Sequence, residues 1–270
     1  MTVWCPVMFR DELDMLQCRL EAMQGWPVKH VIVESTQTHR GVPKPLNFDA
    51  AKERFRPWLD SIIYLVAEPA ETAPWAREHS QRNHAWPVID TVAADGDTVI
   101  IGDLDEIPSP ALLGWRGATV AAARMRTTLF AVDWEVPDRL LPPTCVVATV
   151  RYLRSRARYG FGLAKVRDCR GDYTVLPGGG WHFSWVGGPE RQREKLETAT
   201  CHTELLGTTE GDLIASGERY RTSQDGGGLP VVPVDVDETW PAYIRERRCP
   251  PEWFRPRQHE QTAANAHQTQ

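Results

Sequence analysis

Short apolar runs alternate with segments of helical spacing over the first hundred residues. Val3 to Phe9 reads as an opening strand. Leu13, Leu16, Leu20 and Met23 then form a helical stripe ending near Gly25, with Asp11 as its N-cap. Two more strands are expected at His30–Glu34 and Ile62–Val66, separated by a Gly- and Pro-bearing segment (Ser35 to Pro45) and a short helix around Asp49 to Phe55. Pro74 suits the first turn of a helix reaching about Asp90, and Val99, Ile100 and Ile101 make a fourth apolar run. Runs without alternation suit strands covered on both faces, and the strand–helix rhythm predicts βαβ units and a mainly parallel sheet.

The texture changes after Pro110. Ala121 to Met125, Leu129 to Val136, Cys145 to Tyr152 and Trp181 to Val186 read as strands, and their connections are too short for crossover helices. This half is therefore expected to be antiparallel or mixed. Helices are expected at Glu190–Thr200, Glu210–Ser216 and Trp240–Arg248, and a mobile loop at Ser223–Gly228. The pattern predicts a single α/β domain over residues 1–257, followed by a disordered polar tail at 258–270.

Composition narrows the function classes. A formal charge of −5 lacks the basic balance of a nucleic-acid binder, so no nucleic-acid partner is expected. No apolar stretch approaches the ~20 residues of a membrane span, and Met1 to Phe9 lacks the form of a signal peptide, so a cytoplasmic protein without a membrane span is expected. The six cysteines include no Cys-x-x-Cys pair and are expected as reduced thiols. Eleven tryptophans suit either a core or platforms for sugar rings. Arg151, Arg154, Arg156 and Arg158 are read as a solvated basic face.

The candidate chemistry follows the fourth strand, in Gly102-Asp-Leu-Asp-Glu-Ile-Pro108. Acids at the carboxyl end of a buried strand lie where open α/β sheets bind ligands. In an extended chain Asp103 and Asp105 point to one side, so both could face one hard cation, and Pro108 and Pro110 are expected to stop strand pairing. Two chemistries use such a pair. In glycosyl transfer, a divalent ion on Asp-x-Asp neutralises the departing diphosphate. In haloacid-dehalogenase-like phosphatases the first Asp is a nucleophile and the second a general acid, but that motif normally opens the fold. A non-catalytic carbohydrate-binding protein is the third alternative.

Several blocks, in order, carry a family resemblance. They are Phe9-Arg-Asp-Glu-Leu-Asp-Met-Leu-Gln-Cys-Arg-Leu20, Val31 to Leu46 with its Thr-His-Arg-Gly-Val-Pro-Lys-Pro-Leu run, Glu78-His-Ser-Gln-Arg82 and the acid block. Gly180-Trp-His-Phe-Ser184, Lys195-Leu196, His202-Thr-Glu204 and Trp240-Pro-Ala-Tyr243 follow. The chain resembles glycosyltransferase family 17, the family of the β-1,4-mannosyl-glycoprotein β-1,4-N-acetylglucosaminyltransferase. The resemblance implies a GT-A-like fold with a nucleotide-binding half (residues 1–110) and an acceptor half (111–257). It also implies a nucleotide-sugar donor with UDP-GlcNAc as one candidate, a divalent metal (Mn²⁺ or Mg²⁺), a glycan or glycoprotein acceptor and inversion at the anomeric carbon. Secretory members of the family carry a membrane anchor, and none is expected here.

On that resemblance Asp105 is the first candidate metal ligand, with Asp103 reaching the ion or the donor ribose and His182 as a third ligand. Imidazole suits Mn²⁺ better than Mg²⁺. Glu106 is a second support or a contact to the transferred sugar. Glu34 is either a contact to the donor's base or ribose or a solvated loop acid. Lys44, Arg82 and Lys195 are candidates for the diphosphate, Arg82 alternatively forming a plain ion pair with Glu78. Trp181 and Trp185 are expected on one strand face. Asp133 is named as general base, with Asp225 as another candidate.

Overall fold

The computed structural model describes residues 1–137, 141–198, 219–221, 228–230 and 232–254. Strands β1 (Val3–Phe9), β2 (Val28–Ser35), β3 (Ile62–Ala67) and β4 (Thr98–Ile101) run parallel in the spatial order β4-β1-β2-β3. Helix α1 (Leu13–Ala22) links β1 to β2. α2 (Asn47–Ala50) and a 3-10 segment (Lys52–Ser61) lead to β3, and α3 (Pro74–Asn83) and α4 (Trp86–Val92) lead to β4. Both sheet faces are covered, which is why the strands read as unbroken apolar runs. Val7, Phe9 and Ile32 pack with Met15, Leu16 and Leu20 of α1, whereas Trp4, Val31, Val33, Val99 and Ile101 pack with Ile89 of α4.

The second half holds β5 (Glu106–Pro108), α5 (Pro110–Leu113), β6 (Val120–Ala123), β7 (Arg126–Leu129), β8 (Trp134–Val136) and β9 (Cys145–Thr149). Then come α6 (Val150–Ala157), α7 (Leu163–Asp168), β10 (Val175–Leu176), β11 (Gly180–Ser184) and α8 (Gly188–Thr198). A short pair, β12 (Arg219–Arg221) and β13 (Gly228–Pro230), precedes β14 (Val232–Pro233) and α9 (Ala242–Arg245). β9 inserts antiparallel between β4 and β6, so the first sheet has seven strands in the order β10-β6-β9-β4-β1-β2-β3. A second sheet, β14-β8-β7-β11-β5, is also mixed, with β7 and β11 parallel and the other pairs antiparallel.

Several expected boundaries are corrected. The helix expected from Pro74 to Asp90 is two helices, because Pro87 has no N–H to donate and sits instead at the start of α4. Glu12, not Asp11, precedes α1, and its Oε2 accepts from the backbone N–H groups of Arg10 and Asp11 at 3.1 and 3.2 Å. The strand expected to reach Tyr152 stops at Thr149, whose hydroxyl accepts from the Tyr152 N–H at 3.2 Å and caps α6. Arg151, Arg154 and Arg156 therefore lie on a helix. Arg154 pairs with Asp90 and Asp95, at 2.8 and 2.5 Å. The strand expected over Leu129–Val136 breaks at Phe130, which has a left-handed φ of 69°. Pro108 does not end pairing: β5 is an edge strand and pairs with β11, where a proline is tolerated.

The closing helix is confined to α9, and the features expected at Glu210–Ser216, from Ser223 to 227 and at 258–270 lie outside the described residues. Cys5, Cys18, Cys145, Cys169 and Cys249 are free thiols, and no described helix is long and apolar enough to cross a membrane.

His30 on β2 is 3% exposed. Burial, and then the nearby Arg19 cation, push its imidazole down to about 3. An unfolded chain, with histidine near 6.5, binds a proton that the folded chain refuses. Stability is therefore unaffected above about pH 6.5 and falls by about 1.4 kcal/mol per unit as the pH drops from there toward 3. His30→Leu is expected to flatten this dependence in urea melts between pH 6.5 and pH 4; an unchanged slope would refute the assignment.

Candidate active site

The chain leaves β4 at Gly102 and turns back on itself before β5. The Glu106 N–H donates to the Asp103 carbonyl at 3.1 Å, and the Asp103 N–H donates to Glu106 Oε2 at 3.0 Å. Gly102 is needed here, since a Cβ would stand 2.6 Å from Glu106 Oε2. Because Asp103, Leu104 and Asp105 form a turn rather than an extended strand, the two aspartates serve different neighbours.

Asp103 is held by two guanidiniums. Arg82 Nη2 lies 2.7 Å from Oδ1, and Arg167 Nη2 lies 2.6 Å from Oδ2. The same Arg167 nitrogen is 2.8 Å from Oε1 of Glu106, which is only 2% exposed. Burial would raise the Asp103 carboxyl, but Arg167 and Arg82 outweigh it and hold the group well below the usual carboxylate range. Arg82 also reaches Glu78 at 3.3 Å, the plain ion pair weighed for it, and the Gly102 carbonyl at 3.2 Å. A third arginine secures the turn from beneath. Arg19, wholly buried on α1, donates from Nη1 to the carbonyls of Asp103, Leu104 and Glu106 at 3.1, 3.4 and 2.6 Å.

Asp105 faces a second group of residues. The β5–β11 pairing sets His182 opposite Glu106, and the Phe183 N–H donates to the Asp105 carbonyl at 2.9 Å. His182 Nε2 thereby comes to 4.0 Å from Asp105 Oδ1, and Lys195 Nζ to 3.7 Å from Oδ2. The Lys195 ammonium lies 5.4 Å from the centroid of the Trp185 ring. Trp185 has a left-handed φ of 60°, so the alternation that would place it on the face of Trp181 ends at Ser184. Gly187 and Gly188, also at positive φ, then start α8, which carries Lys195. Among the described residues no group of three or more His, Cys, Asp and Glu is disposed to hold a metal ion. Asp103 is taken by arginines, while Asp105 and His182 remain as a pair of donors.

Glu34 and Lys44 lie together. Glu34 is fully buried and is not a solvated loop acid. Its Oε1 accepts from Lys44 Nζ and the Asn47 N–H, both at 2.7 Å, and its Oε2 from the Phe48 N–H at 3.0 Å and the Tyr64 hydroxyl at 2.9 Å. Four donors occupy the carboxylate, which fixes the segment after β2 onto the sheet. Asp133 is buried between β7 and β8, where its carbonyl accepts from the Val234 N–H at 3.0 Å. Asp225 lies outside the described residues. Arg19 and Arg167 went unassigned in the sequence. Arg19 carries a faint signal, standing between Leu16 and Leu20 on the apolar stripe of α1; Arg167 carries none.

A family model described as "Glycosyltransferase family 17" matches residues 1–187. No curated protein matches. Two solved structures of the glycosyltransferase GlyE of Streptococcus pneumoniae TIGR4, one in the apo form, are similar at 11% identity, with TM-scores of 0.36 and 0.38. Each match covers 65% of this chain, and this chain spans 45% of the length of either.

Arg167→Met leaves the buried Glu106 carboxylate without its cation, which is expected to cost about 3–5 kcal/mol in urea unfolding. Arg167→Lys should recover part of the loss. A Met variant as stable as the parent would show that this pair does not hold the turn.

Proposed function

The chain belongs to glycosyltransferase family 17, and on that premise we propose that it moves a sugar from a nucleotide-sugar donor to a glycan or glycoprotein acceptor, with inversion at the anomeric carbon. One observation carries the reading: Asp105, His182 and Lys195 converge at the carboxyl end of β4, from three distant parts of the chain. Ligands of open α/β sheets bind at this edge.

The donor's departing diphosphate carries charge that must be met. Lys195, half-buried against Trp185, offers a point charge at this position. A divalent cation fits Asp105 and His182 as two protein donors, because Mg²⁺-like ions commonly take one or two protein ligands and complete their shell with water and phosphate oxygens. The imidazole favours Mn²⁺. Asp103 does not fit as a ligand, since each of its oxygens already accepts from a guanidinium. When bound, the ion would act as a Lewis acid on the leaving diphosphate. Arg82 and Arg167 keep Asp103 and Glu106 in place and so leave Asp105 to His182 and Lys195. Inversion also needs a base for the acceptor hydroxyl. Both Glu106 oxygens are engaged, by Arg167 and by the Asp103 N–H, so we retain Asp133 for that role.

The phosphatase alternative requires Asp103 as a free nucleophile, which its two ion pairs oppose. A carbohydrate-binding protein without turnover would bind sugars but leave a donor intact.

The test is a thermal-shift screen of nucleoside diphosphates and nucleotide sugars, UDP-GlcNAc included, with and without Mn²⁺. A ligand at one hundred times its Kd is expected to stabilise the native state by about 2.7 kcal/mol. Asp105→Ala should lose the Mn²⁺-dependent part and slow donor hydrolysis by about 100-fold or more. If no nucleotide shifts the folded parent protein, the proposal fails.

A further inference from the structure

The register of the first sheet extends past the acid turn to a second group of cations. Ile101 of β4 stands opposite Val146 of β9, which stands opposite Ala122 of β6. Two residues further on, the same row holds Asp103, Thr144 and Arg124. Two contacts support this continuation: the Thr144 N–H donates to the Ala123 carbonyl at 3.0 Å, and a Cβ on Gly102 would come within 3.1 Å of the Cys145 Cβ. Side chains at every second position share a face. This is the face where Ile101 and Val146 pack with Leu163 and Val166 of α7. The helical turn after α7 (Cys169–Asp172) contributes Arg170, whose Nε donates to the Pro143 carbonyl at 3.1 Å, beside Thr144.

The row changes character along its length. At Asp103 the guanidiniums of Arg82 and Arg167 each have a carboxylate. At its far end, among the described residues, Arg124 has no ion pair and no side-chain hydrogen bond, and its buried Nε is without a partner. The Thr144 hydroxyl is buried and unpartnered as well. Among the described residues Arg170 binds only carbonyls, those of Pro143 and Arg167, and burial together with the Arg167 cation pushes its guanidinium below the usual arginine range. Buried polar groups are nearly always satisfied, so unmet donors on one face call for an acceptor. The described residues offer none; a ligand can.

We propose that Arg124, Arg170 and the Thr144 hydroxyl form an oxyanion subsite on the side of the acid turn away from β1, β2 and β3, and that it takes an acidic substituent of the acceptor. Strands about 4.8 Å apart put β6 about 10 Å from β4, within reach of a sugar acceptor whose far substituent is an acid. Phosphate and carboxylate share the chemistry, since a guanidinium fork grips either in two-point fashion. The inference rests on the transferase reading for the identity of the ligand, but not for the existence of the subsite.

The experiment titrates the protein with inorganic phosphate and, separately, with glucuronate. Melting temperature is followed with and without saturating nucleoside diphosphate and Mn²⁺. At least one anion is expected to raise the melting temperature, and the rise should persist when nucleotide is present. The better anion identifies the substituent as phosphate or carboxylate. Arg124→Met should weaken that anion about tenfold or more, and Arg170→Met likewise, while nucleotide binding stays at the parent level. Thr144→Val gives a milder variant should either arginine variant melt early. Failure of both anions to shift the parent protein overturns the subsite, as does a shift that survives all three variants. An anion effect abolished by nucleotide also overturns it, because the anion would then be occupying the donor's diphosphate position. A parent protein that responds to phosphate but to no nucleotide would instead sink the transferase reading and leave the subsite standing.

Discussion

One guanidinium holds the centre of this molecule together. Arg167 bridges Asp103 and Glu106, two acids three residues apart that would otherwise repel each other at the mouth of a buried strand. Two carboxylates this close cannot both stay ionised without compensation. Arg167, with Arg82 on the other Asp103 oxygen, supplies it from two different helices. The packing of α3 and α7 against the sheet and the shape of the acid turn are thus one electrostatic problem with one solution. Arg19 completes it from the opposite face by binding the turn's carbonyls rather than its acids.

This division of labour separates scaffold from chemistry within four residues. Asp103 and Glu106 are spent on cations of the fold. Asp105, between them, has a side chain that among the described residues meets a histidine and a lysine at 4.0 and 3.7 Å, longer than an ordinary hydrogen bond. A site that binds a charged ligand needs groups that are positioned but not already saturated, and Asp105 has that property. Glu34 shows the opposite outcome. An acid in the same kind of position, at the end of a parallel strand two places along the sheet, is filled by four donors and acts as a clasp.

Much of the scaffold was legible because its signals are local. The apolar runs at Val3, His30, Ile62 and Val99 mark parallel strands, and the helix-forming segments between them leave little topological freedom. The acid turn was visible as an interruption of the last run. What stayed hidden was set by tertiary contacts. Pairing of β5 with β11 depends on residues some seventy positions apart, and no spacing within Glu106–Pro108 announces it. Arg167 sits on a short helix, α7, in a stretch for which no element was expected, and in sequence it is one arginine among many. Asp103 and Asp105 were expected to act together on the premise of an extended chain; a single turn hydrogen bond parts them.

The placement of β9 bears on how such a chain is made. β4 ends at Ile101, yet its partner on one side spans Cys145–Thr149, and β6 joins the sheet only through that partner. While the chain is being synthesised, the first four strands would present the open hydrogen-bonding edge of β4 until more than forty further residues have emerged. An apolar edge of that kind is a template for mispairing with other chains. The late strand therefore closes a vulnerable intermediate, and the interval before it arrives is when a nascent copy would most need shielding from its neighbours.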